Sequence, residues 1–539
     1  MRRFPFLLAV LVLWPLAPAA QETDLFAVRK NFGLFAELYQ TLAGEYVDPV
    51  DAERLMRTGI SAMIESLDPY TFFYDEAVTS EGRLRESGDV GGAGLAVAQR
   101  GGALVVTGLE ENGPAERQGV RVGDRIVRLA GRDASGLDDA AARDLLRGEP
   151  GSALELEAER EGEGGSLRFV LVRAEADQRD VSAATFVADG VGYIRLEQFL
   201  YESAAQVRAG IDSLRAGGEL NALVLDLRGN PGGLLEQSVE IVGLFTPRET
   251  PVVSTRGRSS GTVRGYATRD EPLAPDLPLA VLIDGRSASA SEIVAGALQD
   301  HDRAVIVGET SFGKGLVQVV RPMPYGTALK VTVSRYYTPS GRSIQSVDYR
   351  QGETASGVDE AARQTFTTAR GRTVRSGGGV DPDEAVGLGE ESDLEQALVR
   401  SAAFLRFANR YRAENATLPR GFAIDDRLLA DFRRFAESDG LDYRTEAERE
   451  ADVLAQAIQD AGYDASGEIA ALRRAVEREK GRDFERHAPR LRARLRQEIL
   501  SRYLDQANLA ETLLEGDPVL DRALEVLADD ARYRRILGG

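Results

Sequence analysis

Between Leu279 and Gln318 the sequence permits essentially one local shape. Leu279 to Ile283 is an unbroken apolar run, as expected of a strand buried on both faces. Asp284, Gly285 and Arg286 interrupt it. Ser287, Ser289 and Ser291, separated by alanines, then lead into Glu292 to Leu298, where Ile293, Val294 and Leu298 have helical spacing. A helix that starts among such small residues leaves backbone N–H groups unpaired and turns its positive end toward Ser289, so an oxyanion formed there would be stabilised. Ala304 to Val307 reads as the next strand. A glycine-rich turn, Gly308 to Gly315, follows it and ends in Gly313-Lys314-Gly315.

The lysine is informative because lysine is scarce. Lys30, Lys314, Lys330 and Lys480 are the only ones among 66 basic residues. Arginine serves wherever a fixed charge suffices, whereas desolvation can lower a lysine by up to ~3–5 pH units from ~10.4, which makes it a general base near neutrality. A serine needs such a base to become a nucleophile.

Other readings of the stretch are weaker. Gly308 with Gly313-Lys314 matches part of a phosphate-binding loop, but Gly315 stands where a metal-binding Ser or Thr is required, and Leu316 to Val320 reads as strand. Gly285-x-Ser287 begins like a nucleophile elbow, with Ser289 in place of the closing glycine. A Ser–His–Asp triad has only His301 and His487 to draw on, and His301 lies in a polar link after the helix. Either motif alone is better read as a packed turn or a surface loop.

Taken together, Ser287-Ala288-Ser289-Ala290-Ser291-Glu292, Gly313-Lys314-Gly315 and Gln318 resemble the C-terminal processing peptidases, or tail-specific proteases, from about Asp24 to about Glu384. The resemblance implies a Ser–Lys dyad of Ser289 and Lys314, with Gln318 orienting it. It further implies an oxyanion hole from the amides of Ala290 and Gly233, the latter in Asp226-Leu227-Arg228-Gly229-Asn230-Pro231-Gly232-Gly233. Neither a metal nor a cofactor is expected.

The rest of the chain fits a multidomain α/β (α+β) protein. Arg2 and Arg3 before an apolar run, with Ala17-Pro18-Ala19 after it, read as a secretory signal over residues 1–20. Periplasmic or extracellular location follows, with membrane association only where the leader stays uncleaved. The chain has no cysteine, so disulfides and a thiol nucleophile are excluded, and a net charge of −20 argues against nucleic acid. Residues 21–87 form an N-terminal helical region, in which Phe32, Leu34, Phe35, Leu38 and Tyr39 are a packing stripe. Homo-oligomerisation through helical regions is expected on the resemblance.

Residues 88–176 alternate short strands, Leu95 to Val97, Leu104 to Leu109, Ile126 to Leu129, Leu154 to Leu156 and Phe169 to Val172, with one helix from Asp138 to Leu146. This stretch resembles a PDZ domain. Gly92-Ala93-Gly94-Leu95 matches the loop that holds a peptide carboxylate while the peptide adds a strand. Arg147 resembles an arginine that senses peptide occupancy. Residues 177–391 are the α/β core. Within it Lys330 is expected on the solvent face of the strand Leu329 to Tyr337, and Gln351 to Arg375 reads as a polar, mobile stretch. Residues 392–539 form a helical region in which Leu491, Leu495, Ile499 and Tyr503 make a stripe. Two functions fit: an exported endopeptidase acting on protein or peptide substrates with free C-termini, and a secreted PDZ scaffold or chaperone that captures C-termini without cutting.

Overall fold

A computed structural model describes residues 25–74, 91–110, 112–175, 180–258, 263–349, 356–357, 363–387, 391–419, 421–504 and 506–539. The expected leader lies outside the described residues. Apolar runs become the strands of a six-stranded sheet in chain order: Val181–Ala188, Val191–Leu196, Ala222–Asp226, Leu279–Ile283, Val305–Gly308 and Glu384–Ala385. The first pair is antiparallel and the remainder are parallel. Right-handed crossovers taken always in one direction put their helices on one face. Accordingly Ser203–Gly217, Leu235–Gly243 and Ala290–Asp300 all pack with Leu223, Leu225, Val281 and Ile283.

Side chains of a strand alternate, so the opposite face carries Tyr193, Val224, Ala280, Leu282, Val305 and Val307 and needs a cover of its own. The last helices of the chain, Pro518–Ala528 and Asp530–Ile536, supply it through Val519, Leu520, Ala523, Val526 and Leu537. An ion pair at the edge of this cover, Arg228 with Asp517 at 2.6 Å, ties it to the loop after Asp226.

A second sheet stands beside the first. It joins Pro251–Gly257, Val263–Ala267, Leu316–Pro322 and Ala328–Tyr337, and the N-terminal region adds Phe72–Tyr74 to its edge. That region holds the helices Leu25–Glu45 and Ala52–Glu65. Its stripe is only partly packed, since Phe32, Leu34 and Leu38 are 73%, 58% and 58% exposed in the single chain.

The PDZ-like unit has a sheet of Leu95–Arg100, Ala103–Leu109, Arg125–Leu129, Ala153–Glu159 and Ser166–Val172, with Leu95–Arg100 at the edge beside the helix Asp139–Leu146. It leans on the C-terminal helices. Val105 packs with Ala402 and Leu405, Asn409 Nδ2 donates to the Gly123 carbonyl at 2.9 Å, and Arg502 Nε donates to Asn409 Oδ1 at 2.8 Å. Leu491, Leu495 and Ile499 are fully buried against Phe404, Phe407 and Phe432, as their spacing implied.

One expectation is corrected. Where described, the polar stretch 351–375 is not structureless: Thr365–Thr367 and Thr373–Arg375 form a hairpin, and Arg372 pairs with Asp302 and Asp383 at 2.5 Å each. These ion pairs span distant segments and leave no periodicity to read.

Candidate active site

Three consecutive parallel strands end in the three motif loops. Ala222–Asp226 leads into 227–234, Leu279–Ile283 into 284–289, and Val305–Gly308 into 309–315, so the loops lie side by side at the carboxyl edge of the sheet. Open α/β sheets bind their ligands there.

The serine triplet divides its work. Ser287 Oγ donates to the Leu227 carbonyl at 2.8 Å and accepts from Asp284 N, and Ser291 Oγ donates to the Asn230 carbonyl at 3.0 Å. Both outer serines therefore clip the serine turn to the glycine loop, and a backbone bond from Ala288 N to the same Asn230 carbonyl adds to them. Ser289 alone is left at the apex. Its backbone has φ 56° and ψ −110°, a conformation that costs a non-glycine residue of order 1–3 kcal/mol and that recurs at functional sites. Tyr336 Oη donates to its carbonyl at 3.0 Å.

Gly232 is pressed against this apex. With φ +98°, a Cβ there would meet the Ala288 oxygen at 2.7 Å, Ser289 Cβ at 2.8 Å and Ala290 N at 2.9 Å, so only glycine fits. Gly232 N donates to Asn230 Oδ1. The next amide, Gly233 N, and Ala290 N at the helix start have no backbone or side-chain acceptor among the described residues. The sequence singled out Gly233. The closest approach is made by its neighbour, and Gly233 instead faces Phe199 across a short bridge.

The lysine loop is bound to the serine turn by one side chain. Glu292 is fully buried in the first turn of the helix. Its Oε2 accepts from Ser289 N at 2.8 Å and from Lys314 N at 2.9 Å, while Oε1 accepts from Ser311 Oγ at 2.6 Å and Gly313 N at 2.7 Å. Two residues distant in sequence thus share one oxygen atom. Gly313 is required because a Cβ at its φ of +86° would meet Ser346 Cβ at 2.4 Å.

The Lys314 ammonium lies 4.6 Å above the Tyr70 ring and is not hydrogen-bonded to the Ser289 hydroxyl in this structure. Burial holds its pKa below the ordinary lysine value and the nearby charge of Lys330 lowers it further, against smaller opposing effects of Glu292 and Asp68. Gln318 is on the strand that leaves this loop, and its amide donates to Thr332 Oγ1 at 3.3 Å rather than toward the lysine. His301 is elsewhere. It caps the far end of an eleven-residue helix, about 18 Å along the axis from Ser289, and its Nε2 donates to the Pro251 carbonyl. That distance removes the triad reading, and the strand Leu316–Pro322 removes the phosphate-loop reading, which needs a helix.

Sequence reasoning missed Tyr70, Lys330 and the linking role of Glu292. Lys330 was expected on the solvent face; it is half-buried and acts on Lys314. Tyr70 comes from the N-terminal region, held by Tyr70 N and Thr71 Oγ1 donating to Asp68, and no local pattern announces it. In the PDZ-like unit, Gly92, Ala93, Gly94 and Leu95 line a cavity of about 380 Å³ together with Leu146 and Arg147, whose backbone pairs with Gly92.

Burial outweighs the four hydrogen bonds and pushes the Glu292 carboxyl up to about 7 from an ordinary 4.5. The unfolded chain therefore loses this proton first, and between these values unfolding releases a proton, so the group's contribution to stability falls as pH rises. Glu292→Gln, which cannot titrate, should flatten that part of a plot of unfolding free energy against pH. An unchanged slope would show that another group titrates there.

Family models and curated relatives match most of this chain. The model described as "Peptidase family S41" matches residues 190–350, "PDZ domain" matches 105–160, and "Probable PDZ-protease, C-terminal helical domain" matches 394–527. The carboxy-terminal-processing protease of Bartonella bacilliformis is 37% identical over 322 residues, 59% of this chain and 73% of that one. The carboxy-terminal processing protease CtpB of Bacillus subtilis is 33% identical over 331 residues, 61% of this chain and 67% of that one. Among solved structures, the photosystem II D1 C-terminal processing protease is 28% identical, with a TM-score of 0.39 over 66% of this chain and 92% of that one. The chain belongs to the C-terminal processing proteases of peptidase family S41, serine-type peptidases, and it carries a PDZ domain and a C-terminal helical domain.

Proposed function

We propose that this peptidase is an exported endopeptidase that captures protein C-termini in its PDZ groove and cuts the adjoining chain with a Ser289–Lys314 dyad. One observation carries the reading: the backbone nitrogens of both residues bind the same Glu292 oxygen. A free C-terminus docks at Gly92 to Leu95, and its occupancy is felt at Arg147, which pairs with that loop.

Lys314 acts neutral. A charged ammonium is favoured over the Tyr70 ring, whereas a neutral amine is not, so loss of the proton releases the side chain toward Ser289. Gln318, freed from its long bond to Thr332, orients the amine. Ser289 Oγ then gives its proton to Lys314 Nζ as it bonds to the substrate carbonyl carbon, and the amides of Gly233 and Ala290 receive the oxyanion. Collapse breaks the C–N bond, and Lys314 returns the proton to the leaving amine. Water repeats the cycle on the acyl-enzyme, with Lys314 again taking and returning the proton.

The leader-like residues 1–20 support export; an active enzyme found only in the cytoplasmic fraction would remove that part. The exposed Phe32, Leu34 and Leu38 support self-association through the N-terminal helices, because a face this apolar is normally covered. In sedimentation, Phe32→Asp should shift the protein toward monomer, and an unaltered mass would count against this interface.

For the chemistry, Ser289→Ala and Lys314→Ala should each lower peptide cleavage by at least about 10³-fold, since dyad members act as a unit. Lys314→Arg should fail equally, because arginine stays charged. New termini in mass spectrometry from the Lys314→Arg protein would overturn the proposed base.

A further inference from the structure

The PDZ groove has two ends, and the structure closes one of them. At the open end Ala93 and Gly94 are fixed through their carbonyls, which accept from Ala115 N at 3.1 Å and Glu110 N at 3.0 Å. Their own amides have no acceptor among the described residues, as a site for a terminal carboxylate requires. The edge strand Leu95–Arg100 runs from there alongside the helix Asp139–Leu146. At the other end Gln99 bridges the groove twice. Its backbone N donates to Asp139 Oδ1 at 2.6 Å, and its side-chain Nε2 donates to the Leu137 carbonyl at 2.6 Å.

Backbone groups of a strand address a given edge at every second residue. Since Gln99 N points across the groove, Val97 and Leu95 present their backbones to the same edge. A peptide lying antiparallel with its carboxylate at Ala93 and Gly94 therefore sets its last residue beside Leu95, its third-last beside Val97 and its fifth-last beside Gln99. The donor that the fifth-last residue needs is already bonded to a carboxylate, and the Gln99 side chain crosses its path.

We infer that the groove reads a frame of only three C-terminal residues, and that Gln99 and Asp139 end it by occupying the edge where a longer peptide would continue to pair. This inference rests on the C-terminal capture proposed above and sets its selectivity. The polypeptide must leave the sheet edge after its third-last residue, so sequence further upstream makes no contribution to recognition by this groove. The pocket for the final side chain, walled by Leu95, Val97 and Leu146, suits an apolar residue.

The test is a length series. N-acetylated alanine peptides ending in leucine, two to eight residues long with a free carboxylate, are titrated calorimetrically into the full chain carrying Ser289→Ala. Affinity should rise up to three residues and then stay constant within about two-fold. In the same protein with Gln99→Ala and Asp139→Ala added, peptides of five or more residues should bind roughly two- to ten-fold more tightly than the tripeptide, the worth of one or two added backbone hydrogen bonds. Continued tightening between four and six residues in the protein with Gln99 and Asp139 intact overturns the three-residue frame, and that series decides alone should the double substitution prevent folding. The same length profile in both proteins also overturns it. An octapeptide amide that binds as well as the acid, or no binding by any acid, refutes carboxylate capture itself.

Discussion

The buried carboxylate of Glu292 is what makes two loops into one site. A side chain with no exposure to water is costly to ionise, and here four donors, three of them backbone amides, offset that cost only in part. The arrangement is geometrically strict. A carboxylate has two oxygens in a plane, so Ser289 N and Lys314 N on one, with Ser311 and Gly313 on the other, fix the relative placement of the serine turn and the lysine loop. The strained backbone of Ser289 persists because Glu292, Asn230 and Tyr336 each hold a different part of the turn.

Much of this was legible in the chain. The central strands Leu279–Ile283 and Val305–Gly308 are apolar along their whole length because helices bury both faces, so they read as continuous runs, and the helix after Ser289 announced itself by small residues followed by helical spacing. The placement of the glycine, serine and lysine motifs after strands and the PDZ pattern followed, whereas the order of the strands came from the structure. What stayed hidden was mostly non-local. Tyr70 reaches Lys314 across more than two hundred residues, Lys330 acts from the neighbouring strand of a sheet whose pairing has no sequence signal, and the hairpin 365–375 is held by ion pairs to Asp302 and Asp383. The serine triplet was ambiguous for another reason: three identical hydroxyls at alternate positions differ only in which backbone carbonyl the fold brings to them.

The C-terminal helices do two distinct jobs. Those between 393 and 504 build a core around Phe404, Phe407 and Phe432 and hold the PDZ domain through Asn409 and Arg502, away from its peptide groove. The groove is thus presented from a braced support. The final two helices belong physically to the protease core, where they cover the sheet face that one-directional winding leaves bare.

That last arrangement bears on how the enzyme comes into being. Arg228 and its partner Asp517 are separated by 289 positions in the chain, so the ribosome has emitted the glycine loop, the serine turn and the lysine loop long before the segment that braces the first of them exists. Contacts of such long range form late in folding. The three loops therefore exist in the nascent chain while the sheet is still bare on one face, and the cover arrives with the last two helices.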